Sequence, residues 1–135
     1  MAVLRFDDAD LRSKLQSAFK SYPAGNHCDV LAQLLGRLLH SAGYEVVIVT
    51  FQNEPMPGTM TRASFIPAIN ADGDAFLLAQ TGFHDTIRLT VDDTVYYLDG
   101  LVYMHYGATA VTEDVYFELF LYADALDVTN VRQVE

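Results

Sequence analysis

The spacing of apolar residues changes at Gly43. Before it they recur at intervals of three and four; after it they crowd or alternate. Between Asp7 and Ser21, Leu11, Leu15, Ala18 and Phe19 fall on one helical stripe, with Asp7, Asp8 and Asp10 at the end of the helix that favours negative charge. Tyr22-Pro23-Ala24-Gly25-Asn26 breaks this helix. A second helix is expected from His27 to Ala42. Val30 or Leu31, with Leu34, Leu35, Leu38 and Ala42, gives it a broad apolar face, so it should be the central and most buried helix. Gly43 is placed to end it in the left-handed conformation.

Beyond Gly43, Glu45 to Phe51 is rich in Val and Ile and reads as a strand. Gln52 to Arg62, with Pro55, Pro57 and Gly58, reads as a loop. Ser64 to Ile69 reads as a short strand and Asn70 to Asp74 as a turn. Ala75 to Gln80, His84 to Val91 and Thr94 to Leu98 read as further strands, the last two joined by a hairpin turn at Asp92-Asp93. Asp99-Gly100 is expected to start the next turn. Thr112-Glu113-Asp114 suits a cap and acidic first turn of a helix through Ala125, although Val115, Tyr116 and Phe117 would equally begin a strand. Leu126 to Val134 suits an edge strand. Helices first and strands later favour an α+β fold, with N-terminal helices packed on an antiparallel sheet. With 135 residues and no internal repeat or linker, residues 1–135 are expected to form one domain.

Composition narrows the function classes. The chain is 51% hydrophobic and 19% charged, too apolar for intrinsic disorder. Its densest apolar run, Val46 to Val49, is strand-sized, so no membrane span is expected. The start, MAVLRFDDADLR, carries acids where a signal peptide needs a basic start and an apolar core. The expectation is a cytoplasmic protein, or one delivered into a target cell within a larger polypeptide or by a secretion machine. Eighteen acidic residues against eight basic ones give a formal charge of −10, which disfavours nucleic-acid binding; the acids form no long block and so suit a solvated, soluble surface first, or a basic protein partner. The single cysteine excludes an internal disulfide and the multi-cysteine zinc frameworks. No cofactor or metal is implied.

Cys28 falls in the first turn of the second helix. There the unpaired backbone N–H groups and the positive end of the dipole favour a thiolate, and the same N–H groups can hold an oxyanion. Asn26, two residues earlier, is either the helix cap or a second oxyanion donor. His84 opens a strand after Thr81-Gly82-Phe83. A turn centred between Val91 and Asp92 puts Asp99 directly opposite His84. A turn centred between Asp92 and Asp93 puts Leu101 opposite and makes Asp99 the diagonal neighbour on the same face. Either register lets a carboxylate fix the imidazole tautomer and support its positive charge. Cys28, His84 and Asp99 are therefore the expected nucleophile, base and orienting group. His27 and His40 are poorly placed as bases, and His105, among aromatics, is the reserve. A metal site of His27, Cys28 and another histidine has no recognised ligand spacing.

These motifs resemble the papain-fold toxin domains of bacterial polymorphic toxin systems, the second class in particular. Cys28-Asp-Val-Leu-Ala32, continuing as Leu34-Leu35-Gly-Arg-Leu-Leu-His-Ser-Ala-Gly43, looks like that family's nucleophile helix and closing glycine. Thr81-Gly82-Phe83-His84 is similar to its glycine–aromatic–histidine start, and Val95-Tyr96-Tyr97-Leu98-Asp99 to the strand delivering the third catalytic residue. The chain departs from the family after Asp99, where Gly100-Leu101-Val102 replaces an asparagine and a histidine–proline pair. Gln16 and Asn26 are the candidates for the glutamine that completes the oxyanion hole in papain-like peptidases. The resemblance implies a papain-like fold and thiolate attack on a carbonyl of a protein substrate, through an acyl-enzyme. Water as acceptor gives a peptidase or deamidase, an amine a transglutaminase-like transferase. It further implies a toxin or effector domain with a cognate immunity protein as partner. The competing expectations are a non-enzymatic acidic binding module, such as an immunity or adaptor protein with Cys28 merely buried, and a degenerate papain-like domain.

Overall fold

A computed structural model describes residues 2–23 and 27–135. Among the described residues, eight strands and four α-helices follow one another as β1 (Val3–Arg5), α1 (Ala9–Ser21), α2 (Cys28–Ser41), β2 (Glu45–Asn53), β3 (Ile66–Ile69), β4 (Ala75–Ala79), β5 (His84–Val91), β6 (Thr94–Leu98), α3 (Gly100–Tyr106), β7 (Thr109–Thr112), α4 (Glu113–Phe117) and β8 (Leu126–Gln133). The architecture is mixed α+β. A six-stranded antiparallel sheet runs β1-β7-β6-β5-β2-β8, and β3 and β4 form a separate pair.

The first helix buries the stripe expected of it, Leu11, Leu15, Ala18 and Phe19. It starts later than Asp7, because the Asp8 carboxylate accepts the N–H groups of Asp10 and Leu11 at 2.9 and 3.2 Å and so caps the helix from outside. The second helix differs in its buried face. Leu31, Ala32, Leu35, Gly36 and Leu39 are buried, Leu34 and Leu38 are half-buried and Val30 is exposed. The face is turned because Gly36 lets the helix lie against the sheet. A Cβ at that position would stand 2.7 Å from a Val134 methyl and 3.3 Å from Ile87 Cδ1. The helix closes at Ser41, with Gly43 at φ 95° beyond it.

β2 is interior to the sheet, between β5 and β8, with Val46, Ile48, Val49 and Phe51 buried. Its register with β8 slips between Thr50 and Phe51, a bulge beside the residues that pair with the start of β5. Asp92 and Asp93 make the β5–β6 turn with φ of 50° and 66°, the positive pair that a two-residue hairpin needs to follow the strand twist. β8 forms at the edge, as its pattern suggests.

Four segments differ from expectation. β1 and β7, which pair with each other, were not foreseen; both are too short to show alternation. Gly100 to Tyr106 is a helix rather than the continuation of a turn. The helix expected from Thr112 to Ala125 stops at Phe117, because Leu119 and Leu121 turn away to hydrogen-bond with β3. Among the described residues, no helix is long and apolar enough to cross a membrane.

Candidate active site

His27 has φ 52° and ψ 41°, a left-handed conformation that turns the chain sharply into α2 and makes Cys28 its first residue. The first intrahelical bond runs from Leu31 N–H to His27 C=O at 2.9 Å, so the N–H groups of Cys28, Asp29 and Val30 precede the ladder. No side chain of His27 caps them. A left-handed histidine costs on the order of 1 kcal/mol, a local strain at the residue next to the sulfur.

His84 is the first residue of β5 and pairs across with Phe51 of β2, which fixes the strand end from which its ring projects. β6 pairs with β5 in the register Ile87↔Leu98, which centres the turn between Asp92 and Asp93. Asp99 is thereby two positions along from the residue opposite His84 and on the same face. His84 Nε2 lies 2.8 Å from Asp99 Oδ2, with both side chains almost fully buried. Asp99 also caps α3, accepting the Val102 N–H on Oδ1 at 3.0 Å. Tyr116 Oη donates to Asp99 Oδ2 at 2.6 Å.

Burial opposes a charge on His84, but the Asp99 hydrogen bond, the nearby Cys28 sulfur and the Asp99 charge outweigh it and raise the imidazole from 6.5 to about 9. Burial likewise opposes ionisation of Asp99. The His84 bond and charge, then the Tyr116 and Val102 donors, overcome it and hold the carboxyl below its ordinary value. The other imidazole nitrogen, Nδ1, is buried without a hydrogen-bond partner among the described residues. Cys28 shares its cavity, an inner space of about 10 Å³ that also meets Leu35, Leu78, Asp99 and Leu101. That is scarcely room for one water molecule. On its outer side the half-buried Cys28 borders a groove of about 460 Å³ walled by His27, Asp29, Leu78, Ala79, Gln80, Thr81 and Phe83. Cys28 therefore lines both the narrow interior cavity that holds His84 and Asp99 and the surface groove.

The remaining candidates separate. Asn26 lies outside the described residues. Gln16 is exposed on α1 and borders neither the cavity nor the groove. His40 is exposed in the last turn of α2. His105, the reserve base, is bound instead to the Ile69 carbonyl, with Nε2 at 2.6 Å. No three His, Cys, Asp or Glu side chains gather as metal ligands among the described residues. Sequence reasoning missed Gln80 and Thr81, which follow β4 and line the groove together with Cys28. It also missed Asp85, buried next to His84 and held by Arg132 of β8 at 3.0 Å. The alternating pattern of β5 hid that carboxylate, since its cation comes from the far end of the chain.

No protein-family model matches the chain, and no curated protein or solved structure matches it.

Proposed function

We propose that this protein is a cysteine-dependent hydrolase or acyltransferase of papain-like fold, acting on a protein substrate as a bacterial toxin or effector domain. One observation carries the reading. A cysteine at a helix N-terminus, opening on a groove, shares a narrow cavity with a buried imidazole whose Nε2 is 2.8 Å from a carboxylate. Residues 28, 84 and 99 are distant in sequence, and a chain that needed only a packed core would not bring a charged pair to its one thiol. Burying such a pair is costly, and packing alone gives no reason to keep it.

The chemistry follows from the arrangement. The Cys28 thiolate, beside protonated His84, attacks a carbonyl carbon, and the tetrahedral oxyanion is held by first-turn N–H groups of α2, with the Gln80 amide as a further donor. Collapse breaks the carbon–nitrogen bond. His84 gives its proton to the departing amine or ammonia, leaving a thioester on Cys28. Water, losing its proton to His84, then releases the acid and restores the thiolate. A lysine amine in place of water forms an isopeptide bond instead. Asp99 keeps the imidazole oriented throughout and supports its charge.

The binding-module reading needs a sealed, inert thiol, and Cys28 is half-buried at the groove. Alkylation by iodoacetamide tests the difference. Wild-type Cys28 should label faster than free cysteine at mildly acidic pH. His84→Ala should slow labelling near neutrality, roughly ten-fold or more, on the scale of positioned acid–base groups. Cys28→Ala should abolish toxicity or acyl transfer while the fold persists. Labelling equally fast in wild type and His84→Ala, from mildly acidic to neutral pH, would remove the catalytic reading.

A further inference from the structure

We infer that Tyr116 is a positioning residue of this site, whose hydroxyl anchors Asp99 and shares with His84 the single carboxylate oxygen that orients the imidazole. The inference rests on the catalytic reading of the Cys28–His84–Asp99 cluster and adds a fourth member to it.

Tyr116 is fully buried. Its ring is stacked on Tyr97 at 4.6 Å with the planes 9° apart, and meets Phe120 edge-on at 5.2 Å. Phenylalanine would satisfy those contacts. A hydroxyl in such a place costs free energy unless it is hydrogen-bonded, and its bond runs to Asp99 Oδ2 at 2.6 Å. That oxygen already receives His84 Nε2 at 2.8 Å, while Oδ1 is occupied by the Val102 N–H. The carboxylate is therefore pinned by donors from three elements and cannot turn from the imidazole without breaking one of them. Burial and then the Asp99 charge push the phenol well above its ordinary value, so Tyr116 stays a donor. A donor on Oδ2 withdraws charge that His84 would otherwise feel. Removing it should leave His84 more basic and Asp99 freer to rotate. The other group acting on His84 is Cys28 on α2; Asp85, its neighbour on β5, turns to the opposite face, where its carboxylate binds Thr50 and Arg132. Arg132 of β8 offsets Asp85, and the Phe120 ring at 6.3 Å carries no charge.

The test compares Tyr116→Phe with Tyr97→Phe, a substitution that removes a hydroxyl from the same aromatic stack without touching Asp99. Two readouts are taken: the NMR titration of the His84 imidazole and the pH profile of Cys28 alkylation by iodoacetamide. In Tyr116→Phe the His84 midpoint, and with it the alkaline limb of the alkylation profile, should move upward by about half a pH unit or more, the scale of one hydrogen bond to a carboxylate. Tyr97→Phe should superimpose on wild type. Should Tyr116→Phe fail to fold, 3,5-difluorotyrosine placed at position 116, a stronger donor of the same shape, should move the His84 midpoint downward. A His84 titration unchanged in either folded variant overturns the inference. Inert Cys28 with a shifted His84 would preserve the Tyr116–Asp99–His84 relation and remove only the catalytic reading.

Discussion

At the scale of single residues, the site joins two ionisable side chains whose burial opposes their charges and whose contact restores them. His84 titrates at about 9 in the folded protein against 6.5 in the free side chain. A raised value means that the folded state binds the proton more tightly than the unfolded chain. The resulting stability is fully present below pH 6.5 and is lost as the pH climbs through about 9. Asp99 has the opposite sign. Its value is lowered from 3.8, so its contribution is present above that pH and disappears as acid protonates it. The melting temperature should therefore decline between pH 6.5 and 9. His84→Gln, which keeps an amide donor for Asp99 but no titrating ring, should flatten that decline. Calorimetry across this range decides it: a melting temperature that rises through the window, or an equal slope in His84→Gln, contradicts the charged pair. Cys28→Ala should lower the His84 midpoint in an NMR titration, since the nearby sulfur is one of the groups that raise it.

At the scale of elements, the placement of Cys28 depends on how closely α2 approaches the sheet, and Gly36 sets that approach. A helix-interior glycine replaced by alanine ordinarily gains about 1 kcal/mol. Here the new Cβ would lie 2.7 Å from a Val134 methyl, and a stiff β-branched side chain yields poorly. Gly36→Ala should destabilise the protein by about 1–2 kcal/mol, the range of core overpacking. In a Val134→Ala background the same change should be neutral or stabilising, giving a measurable coupling in a double-mutant cycle by urea unfolding. Purely additive effects would show that α2 does not rest there. Sequence alone made the elements around this contact legible where periodicity is long. The buried stripe of α1 and both strands of the β5–β6 hairpin are cases, and the parity of that hairpin is what brings His84 and Asp99 to one face. The pattern failed where a tertiary contact overrides it. Leu34 and Leu38 look like core positions by spacing, yet the helix rotates toward Gly36 because glycine, invisible to a hydrophobic pattern, permits the closer contact. Asp99 reads as a turn residue because its role as helix cap depends on a seven-residue helix too short to show a period. Tyr116 reads as strand or helix, and its partner Asp99 lies 17 residues away in a direction no local pattern specifies.

At the scale of the whole molecule, charge is the dominant surface property. Several of the eight cations are tied to the chain itself. Arg62 pairs with Asp127, Lys14 with Asp10, Arg132 with Asp85, and Arg12 donates to the Phe6 carbonyl. The acid excess is left facing water, and Asp29 is the charged wall of the groove at Cys28, with no lysine or arginine among the residues that line it. A field of that sign should draw cationic reagents to the sulfur and turn anionic ones away, an effect carried through solvent and so screened by salt. Methanethiosulfonate reagents of opposite charge measure it without knowledge of the substrate. With each rate normalised to a small free thiol, the trimethylammonium reagent should modify Cys28 about ten-fold or more faster than the sulfonate at roughly 10 mM salt, the low end of electrostatic steering. The ratio should collapse toward unity near 0.5 M NaCl, while the rate with neutral iodoacetamide stays nearly constant. That constancy separates long-range attraction from any change in the protonation of His84, which is buried and little screened. A sulfonate reagent as fast as the cation at low salt would mean that protonated His84 governs the potential at the sulfur, and a basic protein substrate would lose its electrostatic rationale.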